Sequence, residues 1–161
     1  MRKVIFLDRD GVINVERGEY TYKVEDFIIV DGLFEALTHL KKNGFEFIVI
    51  TNQGGISKGL YNHNDVFNVH HYMMECFQKA NIPILATYYC PHHAINEKCI
   101  CRKPDSLMLE KAIAKYHVNT TKSYFIGDSR RDELAGQKVG LNTIKVTKNE
   151  NLNHYLNQII Q

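Results

Sequence analysis

Short apolar runs alternate with stretches of helical period from one end of the chain to the other, and this alternation constrains the fold most. Residues 4–7, 45–50, 84–89, 123–126 and 143–146 read as strands. Their runs are apolar almost throughout, as expected of strands covered on both faces. Between them, residues 32–43 place Leu33, Ala36, Leu37 and Leu40 on one helical face and stop at Gly44. Residues 64–79, 106–116 and 131–139 read as further helices, and residues 152–160 are expected to close the chain with a last one. Strands alternating with helices predict βαβ units and an α/β fold, a doubly wound, Rossmann-like parallel sheet of about five strands. With no repeat, linker or low-complexity run, residues 1–161 are expected to form a single domain.

Open parallel sheets bind ligands beyond the carboxyl ends of their strands. The polar and glycine-rich residues of this chain collect at such ends. Asp8 and Asp10 follow the first strand, Thr51-Asn52-Gln53-Gly54-Gly55 the second, Cys90-Pro91-His92 the third and Gly127-Asp128 the fourth. Asp8 and Asp10 share one face of an extended segment. Two carboxylates so close need a shared proton or a cation, and a hard divalent ion such as Mg²⁺ suits oxygen ligands.

That pattern fits phosphoryl transfer, which needs a nucleophile, a metal and fixed cations around the transferring group. Asp8 can attack phosphorus, and Asp10 can serve in turn as general acid and general base. Asp128 would complete the Mg²⁺ carboxylate set, Thr51 offers a hydroxyl to a phosphate oxygen, and Lys103 supplies compensating charge. Gly54 and Gly55 would let the backbone approach the phosphate. Taken singly, Thr51 reads equally well as a turn cap, and Asp128 as the cap of the helix near Arg131. Their coincidence at one sheet edge favours the site.

Cys90, His92, Cys99 and Cys101 place four zinc-type ligands within twelve residues. Cys₃His is a closed tetrahedral set, so Zn²⁺ would pin a loop rather than activate water. His93 is an alternative ligand, and Cys76 reads as a core residue.

Composition excludes other classes. A formal net charge of +2, with no clustered Lys and Arg, argues against a nucleic-acid partner. No run approaches a membrane span, and Met-Arg-Lys leads straight into a strand without a leader pattern. A cytoplasmic monomer is the expectation, with its cysteines as thiols or metal ligands.

The motifs Asp8-Arg9-Asp10-Gly11-Val12, Thr51, Lys103 and Gly127-Asp128-Ser129-Arg130-Arg131-Asp132 resemble those of the haloacid-dehalogenase-like (HAD) phosphatase superfamily, in its order. The resemblance implies Mg²⁺-dependent phosphatase chemistry with Asp8 as nucleophile and Asp10 as acid/base. It also implies that Asp10 binds the metal through its backbone carbonyl beside the Asp8 and Asp128 carboxylates. The cysteine cluster followed by Arg102-Lys103-Pro104 is similar to a subgroup without a large cap domain. That subgroup includes phosphatases of heptose bisphosphates and of histidinol phosphate. Residues 14–20 and 51–59 look more like the heptose enzymes, which makes Glu16, Arg17, Gly18, Glu19, Thr51, Asn52, Gln53, Gly54, Arg102 and Lys103 the expected substrate contacts. The short interval between His92 and Cys99 looks more like the histidinol enzymes. A second phosphate would need its own cation, for which Arg102 leads and Arg17 and Lys58 follow. A zinc-stabilised module that binds phosphate without turnover is the non-enzymatic alternative.

Overall fold

The computed structural model describes residues 1–160. Five parallel strands form one sheet: β1 (Lys3–Leu7), β2 (Phe45–Asn52), β3 (Ile84–Cys90), β4 (Tyr124–Gly127) and β5 (Asn142–Lys145), in the order β3-β2-β1-β4-β5. The connecting helices are α1 (Leu33–Lys42), α2 (His63–Lys79), α3 (Leu107–Tyr116) and α4 (Arg130–Lys138).

Side-chain alternation in the strands divides the core into two layers. Ile5 and Leu7 of β1 and Phe45, Phe47 and Val49 of β2 pack with α1 and α2 on one face. Val4 and Phe6, with Ile48 and Ile50, pack with Met108, Leu109 and Ala112 of α3 and Ala135 of α4 on the other. Because successive residues point to opposite faces, a strand buried on both must be apolar at every position. That is why β1 is an unbroken run. The chain winds from β1 outward to β3, crosses back, and continues through β4 to β5. Its switch point therefore lies between β1 and β4, and crevices for ligands open at such points.

The expected last helix is present, as a 3₁₀ helix over Leu152–Gln158. One expectation is corrected. Cys76 is half-buried rather than a core residue, while its neighbours Met73 and Phe77 are fully buried. Among the described residues no helix is long and apolar enough to cross a membrane.

Candidate active site

Asp8 directly follows β1 and Asp128 directly follows β4, so the two flank the switch point. Gly11 lies between them at φ 89°, a left-handed conformation, and a Cβ there would collide with the Asp128 carboxylate. A side chain at position 11 would thus be strained and would push Asp128 away.

A third carboxylate joins them. Asp8, Asp128 and Asp132 each offer an oxygen, all within 4.8 Å of one another. Asp132 is fixed by the start of α4: its Oδ2 accepts from the Ser129 N–H at 3.1 Å and the Ser129 hydroxyl at 2.8 Å, as half of a capping box. Ser129, not Asp128, is therefore the helix cap, which leaves Asp128 free to face the crevice.

Lys103 is only 3% exposed and bridges the group, with Nζ 2.8 Å from Asp8 Oδ1 and 2.7 Å from Asp132 Oδ1. It also donates to the Ile50 carbonyl at 3.0 Å. Asn52 clasps the Lys103 backbone, accepting from its N–H at 3.0 Å and donating to its carbonyl at 3.2 Å. Lysine cannot neutralise three carboxylates alone. Burial pushes the Asp8 carboxyl up to about 8, against the pull of Lys103 and with added repulsion from Asp132 and Asp128. Burial and Asp132 likewise raise Asp128. Oxygen ligands in close array, short of positive charge, fit a hard divalent cation.

Asp10 is treated differently. Its carboxylate accepts from Arg9 Nη2 at 2.9 Å, Asn14 Nδ2 at 3.0 Å and Gln53 Nε2 at 3.0 Å. Burial raises this carboxyl, but the Arg9 charge and these donors outweigh it and hold it below the usual carboxylate range. Arg9 itself is fully buried. It donates to the Thr21 carbonyl at 2.7 Å and lies 3.3 Å from His70 Nε2. Burial keeps His70 neutral, with its pKa lowered to about 3, so that nitrogen can accept from the guanidinium.

A cavity of about 550 Å³ opens over these groups. Its walls carry Asp8, Asp10, Asp128 and Lys103, the loop residues Glu16, Gly18, Glu19 and Tyr20, and then Asn52, Gly54, Arg102 and Arg131. Arg102 Nη1 donates to the His92 carbonyl at 3.1 Å. A Cβ on Gly54 would stand 2.8 Å from that nitrogen, so the glycine makes room for the guanidinium. Arg131 faces Arg102, and its charge works with burial to lower the Arg102 pKa. Arg130 pairs with Glu133 at 3.8 Å, but Arg131 has no carboxylate partner among the described residues.

The four zinc-type ligands are gathered as one cluster, with donor atoms within 4.8 Å of one another. Cys90 Sγ lies 3.8 Å from Cys99 Sγ and 3.4 Å from His92 Nδ1, and Cys101 Sγ lies 3.2 Å from that nitrogen and 2.9 Å from Cys90 Sγ. Tetrahedral ligands at zinc distances stand roughly 3.3–3.8 Å apart, so the set fits with little adjustment. His93 lies outside the cluster and lines the cavity instead. The Arg102 N–H donates to Cys99 Sγ at 3.4 Å, which links the cluster to the cavity.

Most of the expected residues converge, but three do not do what their sequence suggests. Arg17 turns from the cavity to Asp26, at 3.3 Å. Thr51 is 1% exposed, its hydroxyl engaged by Gln53 Nε2 at 2.9 Å. Gly55 makes room for the Tyr61 ring, which stands where its Cβ would be, and it does not line the cavity. Asp132, Arg9, Arg131 and Lys148 were not anticipated. Asp132 carried a signal, as the last residue of its motif; Arg9 and Arg131 occupy variable motif positions and carried none.

Comparison with known proteins agrees with this architecture. Residues 100–160 match the HAD-hydrolase-like family model. The chain is 40% identical over 148 residues to D-glycero-alpha-D-manno-heptose-1,7-bisphosphate 7-phosphatase of Campylobacter jejuni, covering 92% of this chain and 84% of that protein. It is 36% identical over 151 residues to the D-glycero-beta-D-manno-heptose-1,7-bisphosphate 7-phosphatase of Haemophilus influenzae, covering 89% and 82%. Among solved structures, the D,D-heptose 1,7-bisphosphate phosphatase of B. bronchiseptica, complexed with magnesium and phosphate, superposes with TM-score 0.84 at 28% identity, covering 97% of this chain and 86% of that one. The carboxylate crevice, the buried lysine and these relatives together place the chain in the HAD-like phosphatases, in the family of the D-glycero-D-manno-heptose-1,7-bisphosphate 7-phosphatases.

Proposed function

We propose that this enzyme hydrolyses the C7 phosphate of D-glycero-D-manno-heptose 1,7-bisphosphate through an aspartyl-phosphate on Asp8. The observation that carries the reading is that the cavity holds two sets of charge: Asp8, Lys103 and a carboxylate cluster, and two guanidiniums without carboxylate partners. A monophosphate needs only the first set. The reading takes residues 1–161 as one catalytic domain working as a cytoplasmic monomer, and its free thiols suit a reducing compartment.

Asp8 Oδ1 accepts from Lys103 Nζ at 2.8 Å and from the Arg9 N–H at 2.8 Å, which leaves Oδ2 to attack phosphorus. As that bond forms, the bond from phosphorus to the C7 oxygen breaks, and Asp10 protonates the departing oxygen. Asp10 rests as a carboxylate, so it must first take up a proton, which an arriving phosphate favours by like-charge repulsion. Asp10 then removes a proton from the water that attacks the aspartyl-phosphate, releasing phosphate and restoring Asp8. Mg²⁺ held by the Asp8 and Asp128 carboxylates and the Asp10 carbonyl, with Asp132 beside them, would neutralise the phosphate oxygens and favour the ionised form of Asp8. Thr51 acts by holding Gln53 against Asp10 rather than by facing the cavity. Asn52 acts by placing Lys103. Zn²⁺ in the Cys90–His92–Cys99–Cys101 set would fix the loop that ends in Arg102 and Lys103.

The C1 phosphate is assigned to Arg102 and Arg131. Arg131→Ala and Arg102→Ala are each expected to raise KM for the bisphosphate about 10-fold or more, since a charge-assisted contact contributes roughly 1.5–3 kcal/mol. Turnover of a simple monophosphate should change little. The function itself is tested by phosphate release: one equivalent from the bisphosphate with Mg²⁺, none with chelator. Release of both phosphates, or release untouched by chelator, would contradict it.

A further inference from the structure

Glu16, Gly18, Glu19 and Tyr20 form one wall of the cavity, yet they belong to neither helix nor strand. A segment without its own hydrogen-bond ladder must be held by other parts of the chain, or it opens locally. The hold comes from 133 residues away. Asn149 Oδ1 accepts from the Glu16 N–H at 2.7 Å, and Asn149 Nδ2 donates to the Glu16 carbonyl at 2.9 Å. One carboxamide thus satisfies both backbone groups of one residue, as a neighbouring strand would. The Asn149 N–H also donates to the Gly11 carbonyl at 2.9 Å, which ties the same turn to the segment after Asp10.

The turn that presents Asn149 is shaped for this contact. Asn149 has φ 64°, a left-handed conformation that asparagine adopts more readily than most side chains. Behind it, the Thr147 N–H donates to the Tyr155 hydroxyl at 2.9 Å, and that hydroxyl donates to Glu150. Lys148 adds an ion pair to Glu16 at 3.0 Å, but its side chain is 55% exposed, so solvent screens the pair. Arg17 and Tyr20 anchor the segment by their side chains, to Asp26 at 3.3 Å and to the Tyr61 ring, but at Glu16 the carboxamide clasp is the main fastening.

We infer that Asn149 is a positioning residue for specificity: by clasping the Glu16 backbone it sets residues 16–20 against the sugar portion of the ester, over the site where Asp8 works. The sugar rests on the proposed function above; the clasp does not.

Asn149→Gly keeps the left-handed backbone and the bond to Gly11 while removing both side-chain bonds. It should raise KM for the heptose bisphosphate about 10-fold, the size expected from losing two ordering hydrogen bonds. Its kcat on p-nitrophenyl phosphate, which offers the loop no sugar to position, should stay within about twofold. Amide hydrogen exchange should accelerate at residues 16–20 and not in β1. Asn149→Asp keeps only the acceptor and should fall between. Equal losses on both esters would reduce Asn149 to a structural role, and unchanged exchange at residues 16–20 would remove the clasp; either overturns the inference. If the intact enzyme releases no phosphate from the bisphosphate, the function reading fails, while the exchange measurement still decides the clasp.

Discussion

Asp8→Asn should leave a folded protein with phosphatase activity at background. An amide oxygen is not a competent nucleophile at phosphorus, and no neighbouring carboxylate can replace it. Asp132 is locked by Lys103 and the Ser129 cap, Asp10 is held by Arg9, Asn14 and Gln53, and Asp128 would be taken up by the Mg²⁺ it is assigned to hold. The fold should tolerate the change for an electrostatic reason. Burial already raises the Asp8 carboxyl, and Asp128 and Asp132 repel it further. Replacing that charge with a neutral isostere relieves repulsion, and Lys103 keeps its partner Asp132 at 2.7 Å. The Tm measured without Mg²⁺ should therefore hold or rise. Asp10→Asn should lower turnover at least ~10²-fold through loss of proton transfer. It should also lower Tm, because an amide cannot accept from all three donors that now converge on the carboxylate. Near-normal turnover by either purified variant would contradict the assignment.

On the proposed zinc assignment, stripping the ion from the Cys90–His92–Cys99–Cys101 set should be nearly as damaging, although none of these four residues belongs to the catalytic carboxylate group. The backbone from Cys90 to Lys103 has little regular structure, and its residues 92–100 are mostly exposed. The cluster lies at its base, and the Arg102 N–H donates to Cys99 Sγ. Lys103 follows directly, so freeing the loop frees the buried ammonium from Asp8. Cys99→Ser should lose a tightly held zinc and at least about 10-fold in kcat, with faster proteolysis within residues 92–100. Chelator-washed protein that stays active while elemental analysis finds no zinc would contradict this.

How far the sequence revealed the molecule depends on whether a feature is local. The strands were legible because burial on both faces demands unbroken apolar runs, and Val4–Leu7 of β1 and Phe47–Ile50 of β2 are such runs. The last helix was legible as an element, but its 3₁₀ form was not, because side-chain anchors set it. Asn151 Oδ1 accepts from Asn153 Nδ2 and the Asn153 N–H, Asn153 Nδ2 also reaches the Gly32 carbonyl, and these anchors favour a 3₁₀ path. The cysteine cluster was legible because its four ligands lie within twelve residues, and Asp8 and Asp128, far apart in sequence, because each falls just past the end of a legible strand. Arg17 was misplaced because only the folded loop brings Asp26 beside it. Arg9 stands at a variable position between two aspartates, and nothing local marks it as the pivot that depresses Asp10. Asn149 lies farther still from its partner Glu16, and its role exists only in the fold.

The most direct test of the account is kcat/KM for D-glycero-D-manno-heptose 1,7-bisphosphate and for histidinol phosphate, measured on one Mg²⁺-loaded preparation. Arg102 and Arg131 have no carboxylate partners in the cavity, and a second phosphate uses them where an amino alcohol's ammonium group is repelled. The account predicts preference for the bisphosphate by at least about 10²-fold, two charge-assisted contacts of roughly 1.5 kcal/mol each. Equal efficiency, or preference for histidinol phosphate, would contradict it.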